Sequence, residues 1–129
     1  MARLNGFTKK QIIEVYRKMA LSRKLDDKML ILLKQGKSFF HIGASGHEGA
    51  QLAAAGMIKP GEDWSFPYYR DGAYCLGLGM TAREQLLSFL AKAADPNSGG
   101  RQMPQHYGHK DLRIVSQSSP TGTQFLQAV

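Results

Sequence analysis

The sequence predicts a mainly α chain with a few short strands, and two observations carry that prediction. Apolar residues recur at helical spacing, at Ile12, Val15, Tyr16 and Met19 and again at Leu25, Met29, Leu32 and Leu33. That is the i, i+3/i+4, i+7 pattern of one buried helical face. Three pairs, Thr8 with Gln11, Ser45 with Glu48 and Thr81 with Glu84, have capping-box spacing near apolar stretches. Three helix starts are therefore written locally.

The first helix opens at Thr8, where Phe7 and Ile12 add hydrophobic-staple spacing, and Gly36 supplies its stop. At 1.5 Å per residue it would run about 42 Å. So long a helix cannot bury its stripe on itself and needs another element or subunit; a break near Ser22 is the alternative. Lys37 to Gly43 is a short aromatic segment that reads as a strand ending in glycine. The helix behind Ser45, from Gly49 to Met57, is small-sided, with Gly49, Ala50, Ala53, Ala54, Ala55 and Gly56. Such a face lets another backbone approach closely and predicts tight burial. Lys59 to Asp63 is a turn.

Trp64 to Gly72 is aromatic, with Arg70 set in it, and Ala73 to Gly79 is a glycine-broken apolar segment. The Thr81 helix runs through Leu86, Leu87, Phe89 and Leu90 and ends before Asp95-Pro96. A loop from Pro96 to His109 follows with little periodicity. Long loops inside compact domains are functional or disordered, and the Met, Tyr and two His residues here argue for order. Leu112 to Val115 reads as a short strand. It leads into Ser118-Ser119-Pro120-Thr121-Gly122-Thr123-Gln124, which reads as a helix start with Ser119 as N-cap and Pro120 at the first position. A helix start of this kind attracts anions, phosphates above all. The apolar helix beginning there has reached only Val129, so the chain reads as the front part of a longer protein. The isolated 129 residues are accordingly expected to associate or remain partly disordered.

Composition narrows the function classes. The 43% hydrophobic and 21% charged fractions are those of a soluble globular protein. The longest apolar run, Leu52 to Ile58, falls far short of the roughly 20 residues of a membrane span. No targeting segment is evident. Cys75 is the only cysteine, which excludes an internal disulfide and suits a reducing, cytoplasmic setting. The net charge of +7 resides in residues 1–37, with ten Lys/Arg against three acids; residues 38–129 hold seven of each. A basic arm can bind nucleic acid. Because the charges interleave with a regular apolar stripe, a solvated helix face lying on an acidic partner subunit is the preferred reading.

Few side chains stand out chemically. His41, His47, His106 and His109 form no zinc-finger or H-E-x-x-H spacing. Cys75 sits among apolar residues as a core thiol. Nothing resembles a nucleophile elbow or a Walker A loop, and the single G-x-G at Gly77-Leu78-Gly79 is weak. Arg70 is different: it is either a buried ion pair, with Asp71 or Glu48, or an anion clamp. The residues themselves leave both open.

Gly100-Arg101-Gln102-Met103-Pro104-Gln105-His106-Tyr107-Gly108, followed by Ser118 to Gln124 and Gln127-Ala128-Val129, resembles one family. It is the alpha subunit of the thiamine diphosphate-dependent 2-oxo acid dehydrogenase decarboxylating component, and the branched-chain (2-oxoisovalerate) members match best. Gly46-His47-Glu48-Gly49 and Tyr69-Arg70 fall where that family has its G-x-E-x and Y-R elements, and the resemblance runs from about Arg17 onward. It implies the N-terminal part of an α/β thiamine diphosphate-binding fold. Residues 1–129 would be a single N-terminal segment of that larger domain, with 1–37 a basic helical arm and 38–129 the cofactor-site part.

The resemblance also assigns roles. Tyr69 and Arg70 match positions that contact the cofactor's diphosphate end. Ser119 and Thr121 match cofactor-contacting positions, although Thr121 and Gly122 replace larger residues. Ser118, Pro120, Thr123 and Gln124 match the ligands of a structural potassium ion, all oxygen donors as a hard monovalent cation needs. The magnesium ligands, G-D/E-G followed downstream by Asn-Asn, are not in this sequence. No catalytic residue is assigned within it, so the fragment alone would be inactive. The implied partners are a beta subunit or fused beta half, a lipoyl acyltransferase core and a 2-oxo acid substrate, with no membrane. The implied activity is oxidative decarboxylation of branched-chain 2-oxo acids with acyl transfer to the lipoyl group. A pyruvate or acetoin dehydrogenase alpha chain is the alternative, and a non-enzymatic basic module binding nucleic acid is the disfavoured one.

Overall fold

The computed structural model describes residues 3, 4 and 6–129, with only the backbone of residues 3 and 4. Met1, Ala2, Asn5 and the Arg3 side chain, all in the basic arm, lie outside the described residues. A two-residue hairpin, β1 (Arg3–Leu4) against β2 (Phe7–Thr8), leads into α1 (Lys9–Lys34). Four short helices follow: α2 (Glu48–Ala55), α3 (Gly72–Leu78), α4 (Ala82–Phe89) and α5 (Thr123–Ala128). The mainly α expectation holds.

The capping boxes at Thr8 and Thr81 both form, and each threonine hydroxyl accepts from the N–H three residues on. The third does not. Ser45 turns its hydroxyl to Asp26 of α1 at 3.0 Å, while Glu48 accepts from the Gly46 N–H and from Arg23. His47 therefore begins α2 with no side-chain cap, because two tertiary partners outcompete the local one. α1 is unbroken at Ser22, which is buried beside Leu25 and Met29. The front of the expected stripe, Ile12, Val15 and Tyr16, is exposed.

The small-sided helix α2 is buried on one side only, at Glu48, Gln51, Leu52 and Ala55. There the expected close approach exists. A Cβ added to Gly77 of α3 would stand 2.4 Å from the Ala55 Cβ. Gly79, at φ +115°, then stops α3 in the left-handed region that glycine adopts freely. Cys75, Leu78, Met80, Tyr107, Ile114 and Ala55 form the core over which these helices meet. Burial raises the Cys75 thiol well above its usual range, in keeping with a core thiol.

Neither expected strand forms. Residues 37–43 are irregular and held by contacts to other segments: the Ser38 side chain donates to the Phe89 carbonyl, and the Ile42 backbone bonds to the Gln105 side chain. Around Ile114 only isolated bridges exist, parallel to Ser65 and antiparallel to His109. The helix start at Ser119 is displaced as well. α5 begins at Thr123, behind Gly122 at φ +97°. Its geometry is fixed by Thr123 Oγ1 donating to the Pro120 carbonyl at 2.7 Å and Gln124 Oε1 accepting the Gly122 N–H at 3.0 Å. Ser119 does not cap α5, whose N-cap is Gly122; its hydroxyl is bonded to His106 instead.

Candidate functional site

Arg70 is placed by a glutamine that the sequence reading passed over. Gln51, buried on α2, donates to the Arg70 carbonyl at 3.0 Å and to Asp71 Oδ1 at 3.1 Å, and accepts the Ala73 N–H at 3.1 Å. Asp71 also accepts the Tyr68 N–H at 2.8 Å. The turn that carries Tyr68, Tyr69 and Arg70 is thus clamped at both ends before α3 begins. Burial pushes the Asp71 carboxyl above its ordinary range, partly offset by that Tyr68 N–H.

The Arg70 guanidinium donates to the Gly43 carbonyl at 2.7 Å and lies 5.5 Å from the centre of the Tyr69 ring. Among the described residues it forms no ion pair. The two carboxylates that could have neutralised it are occupied elsewhere. Asp71 holds amides, and Glu48 is bonded to Arg23 at 2.7 Å. The Arg23 hydrogen bond holds Glu48 down at about 2, against burial. A fork of five donors with the Gly43 carbonyl and the Tyr68 phenol as partners still has donors free for an anion.

The segment facing Arg70 is fixed in turn. Asp26 accepts the Ala44 N–H at 2.8 Å, and Gln105 clamps Ile42 by both its N–H and its carbonyl. Gln105 does so at φ +65°, a strained conformation for a non-glycine residue. That strain sets the direction of His106, which is 2% exposed. The His106 ring lies 5.9 Å from the Tyr69 ring and is hydrogen-bonded through Nε2 to Ser119 Oγ at 2.9 Å. The long loop is ordered by Asp95, which accepts from Ser98 and Gly100, and by Asn97, which donates to the His106 carbonyl.

The sequence-predicted cofactor positions are therefore neighbours through short links. Tyr69 and Arg70 share a stack, and Ser119 reaches Tyr69 by way of His106. Thr121 lies against the phenols of Tyr68 and Tyr69, which are hydrogen-bonded to each other. That mutual bond lowers Tyr68 and raises Tyr69.

The four proposed potassium ligands lie in one turn. Ser118 Oγ is 3.2 Å from Thr123 Oγ1, which is 2.7 Å from the Pro120 carbonyl. Gln124 points its oxygen at the Gly122 N–H instead. All four offer neutral oxygens, a donor set that suits a hard monovalent cation. Among the described residues, no three His, Cys, Asp or Glu side chains gather as a metal site.

Two loops and a terminal turn, carried on a small helical frame, bring these residues to one face, with an arginine that has no carboxylate partner among the described residues. The chain belongs to the dehydrogenase E1 component family, whose model matches residues 16–129. It is 48% identical over 124 residues to the 2-oxoisovalerate dehydrogenase subunit alpha of Bacillus subtilis (strain 168), covering 96% of this chain and 38% of that protein. The mitochondrial 2-oxoisovalerate dehydrogenase subunit alpha 1 of Arabidopsis thaliana is 32% identical over 121 residues, 94% of this chain and 25% of its own length. The human mitochondrial subunit alpha is 32% identical over 127 residues, 94% and 27%. The chain thus spans between a quarter and two-fifths of these relatives.

Tyr68, Gln51, Gln105 and His106 are the site residues that sequence reasoning missed. Gln105 and His106 lie inside the very motif that carried the resemblance, and that was their only signal.

Proposed function

We propose that this chain forms one wall of a thiamine diphosphate site, as the N-terminal segment of the alpha subunit of a branched-chain 2-oxo acid dehydrogenase. The observation that carries the reading is Arg70, an arginine with no carboxylate partner, held by Gly43 and Tyr69 in a chain of the dehydrogenase E1 family. Arg70 and Tyr69 take the diphosphate end, the Arg70 fork providing charge-assisted hydrogen bonds. Ser119 and Thr121 line the same wall. Ser118, Pro120, Thr123 and Gln124 hold potassium and thereby fix the turn that carries Ser119 and Thr121. Magnesium belongs with residues outside this sequence.

When bound, thiamine diphosphate supplies the electron sink that lets a 2-oxo acid lose CO2. The share of this chain is to bind, orient and exclude water. A beta subunit or fused beta half completes the site, and a lipoyl acyltransferase core receives the acyl group. Residues 1–37 are the arm and 38–129 the cofactor-site part of the larger domain. No helix among the described residues is long and apolar enough to cross a membrane, and a reducing cytoplasmic setting suits the buried Cys75 thiol.

The test is cofactor binding and turnover by the full-length alpha chain assembled with its beta partner. Wild type should bind thiamine diphosphate and turn over 2-oxoisovalerate in preference to pyruvate. Arg70→Gln should weaken cofactor binding about 10- to 100-fold, the range of a lost charge-assisted hydrogen bond, with the thermal midpoint unchanged. Undiminished binding by Arg70→Gln would remove the central support of the reading.

A further inference from the structure

We infer that His106 is a positioning residue, which accepts a hydrogen bond from the Ser119 hydroxyl and so fixes Ser119 as a hydrogen-bond acceptor facing the ligand. The inference rests on the reading of the site given above and adds to it a residue and a polarity. The geometry starts at Pro104. Its carbonyl lies 3.1 Å from His106 Nδ1, and a carbonyl can only accept, so Nδ1 carries the hydrogen. No carboxylate pairs with the ring among the described residues, and a buried unpaired imidazolium is costly. In the neutral ring that remains, Nε2 bears the lone pair. The Ser119 hydroxyl, 2.9 Å away, must therefore donate to it.

A serine has one proton to give. With that proton committed to His106, the Ser119 side chain offers only lone pairs to the ligand. Lone pairs repel a phosphate oxygen and suit an N–H or O–H of the ligand. The diphosphate then falls to Arg70, and the Ser119 side chain addresses a different, hydrogen-bond-donating part of the same ligand.

The ring is built to stay where it is. Its backbone N–H donates to the Met103 carbonyl at 3.3 Å, and its carbonyl accepts from Asn97 Nδ2 at 2.6 Å. Gln105 beside it is pinned to Ile42 by two hydrogen bonds. One face lies against Tyr69. His106 thus touches both halves of the wall, the Tyr69 side by ring contact and the Ser119 side by hydrogen bond.

The experiment is a double-mutant cycle on the full-length alpha chain assembled with its beta partner. Its primary readout is the Kd for thiamine diphosphate by calorimetry, with the KM for the 2-oxo acid as a second. His106→Phe keeps the ring and removes the acceptor; Ser119→Ala removes the hydroxyl. Each should weaken cofactor binding about 5- to 10-fold, as a single neutral hydrogen bond does. The double variant should be no worse than Ser119→Ala, because His106 acts through Ser119. His106→Gln, whose amide oxygen can accept the same proton, should restore binding to within about 3-fold of wild type, and the KM for the 2-oxo acid should stay put in all variants. Multiplying effects in the double variant, or wild-type binding by His106→Phe, would overturn the inference while leaving the cofactor site standing. A wild-type assembly that binds no thiamine diphosphate overturns the site and this inference together. If His106→Phe does not assemble, His106→Gln decides: binding as weak as that of Ser119→Ala counts against the inference.

Discussion

The helical frame and the wall it carries treat their polar groups in opposite ways. In the frame, the buried glutamines and the buried glutamate are satisfied by the chain itself, while the buried Ser88 hydroxyl of α4 has no partner. Gln85 donates to the Gly72 carbonyl, Gln51 closes the turn before α3, and Glu48 holds Arg23. On the wall, the strongest donor, Arg70, has a carbonyl and a ring, and the Ser118–Gln124 turn groups neutral oxygens around Thr123. The contrast between Arg23 and Arg70 is the clearest. One arginine pairs with a buried glutamate; the other has no carboxylate partner among the described residues. The difference separates residues whose loss costs stability from residues whose loss costs binding.

The largest expected effect lies in the frame. Gly77→Val places a branched side chain where even a Cβ would stand 2.4 Å from the Ala55 Cβ and 3.2 Å from Leu52. Helices α2 and α3 must part, at a cost of about 3 kcal/mol, read as a lowered thermal midpoint in full-length protein. An unchanged midpoint would mean that the crossing is looser than described. Gln51→Leu comes next and tests whether frame and wall are separable at all. It strips the partner from the buried Ala73 N–H, at a cost of about 2 kcal/mol. It also releases the carbonyl of Arg70, so cofactor affinity should fall with stability. If only stability falls, Arg70 is oriented by Gly43 and Tyr69 alone.

Arg23→Ala sharpens the comparison of the two arginines. It should lower stability only modestly, because Arg23 is half exposed and solvent screens part of the pair, and it should leave cofactor affinity unchanged. Its pH signature follows from Glu48. A carboxyl whose folded value is about 2 against an ordinary 4.5 contributes stability that is complete above pH 4.5 and is lost as pH falls toward 2. The gap between wild type and Arg23→Ala, measured by denaturant unfolding, should therefore close over that window. A gap that persists at pH 2 would mean that Arg23 acts by packing and not by charge.

What was legible in the sequence divides along the same line. The Thr8 and Thr81 caps, the long α1 and the close approach of α2 depend on neighbours a few residues apart or on side-chain size, and periodicity and spacing report both. Ser45 looked like a cap on the same grounds and failed because Asp26, nineteen residues away, offers a better partner. The first strand failed for the same reason: Ile42 and Gly43 satisfy their backbone with the distant side chains of Gln105 and Arg70, and no local pattern encodes that. On the wall, Arg70 stood out as an arginine among aromatics. That Glu48 is bonded to Arg23, and Asp71 to Gln51 and the Tyr68 N–H, is set by contacts that local pattern does not report. Ser119 was legible as a polar residue before proline; that its hydroxyl is hydrogen-bonded to His106 is set by the fold of the loop and not by local pattern.

The smallest effect probes a connection between the two regions. Thr81→Ala removes a hydroxyl that accepts the Glu84 N–H at 3.2 Å and contacts Glu84 Oε2 at 2.8 Å. Losing such a cap costs about 1 kcal/mol. Glu84 also lies 3.5 Å from His109 Nε2, and His109 pairs with Ile114 ahead of the Ser118 turn. If frame and wall are independent, the thermal midpoint should drop slightly and the Kd for thiamine diphosphate should not move. A cofactor affinity that shifts with so small a change at the start of α4 would show that Glu84 and His109 transmit to the wall. The division drawn from Arg23 and Arg70 would then hold for those residues and not for the molecule.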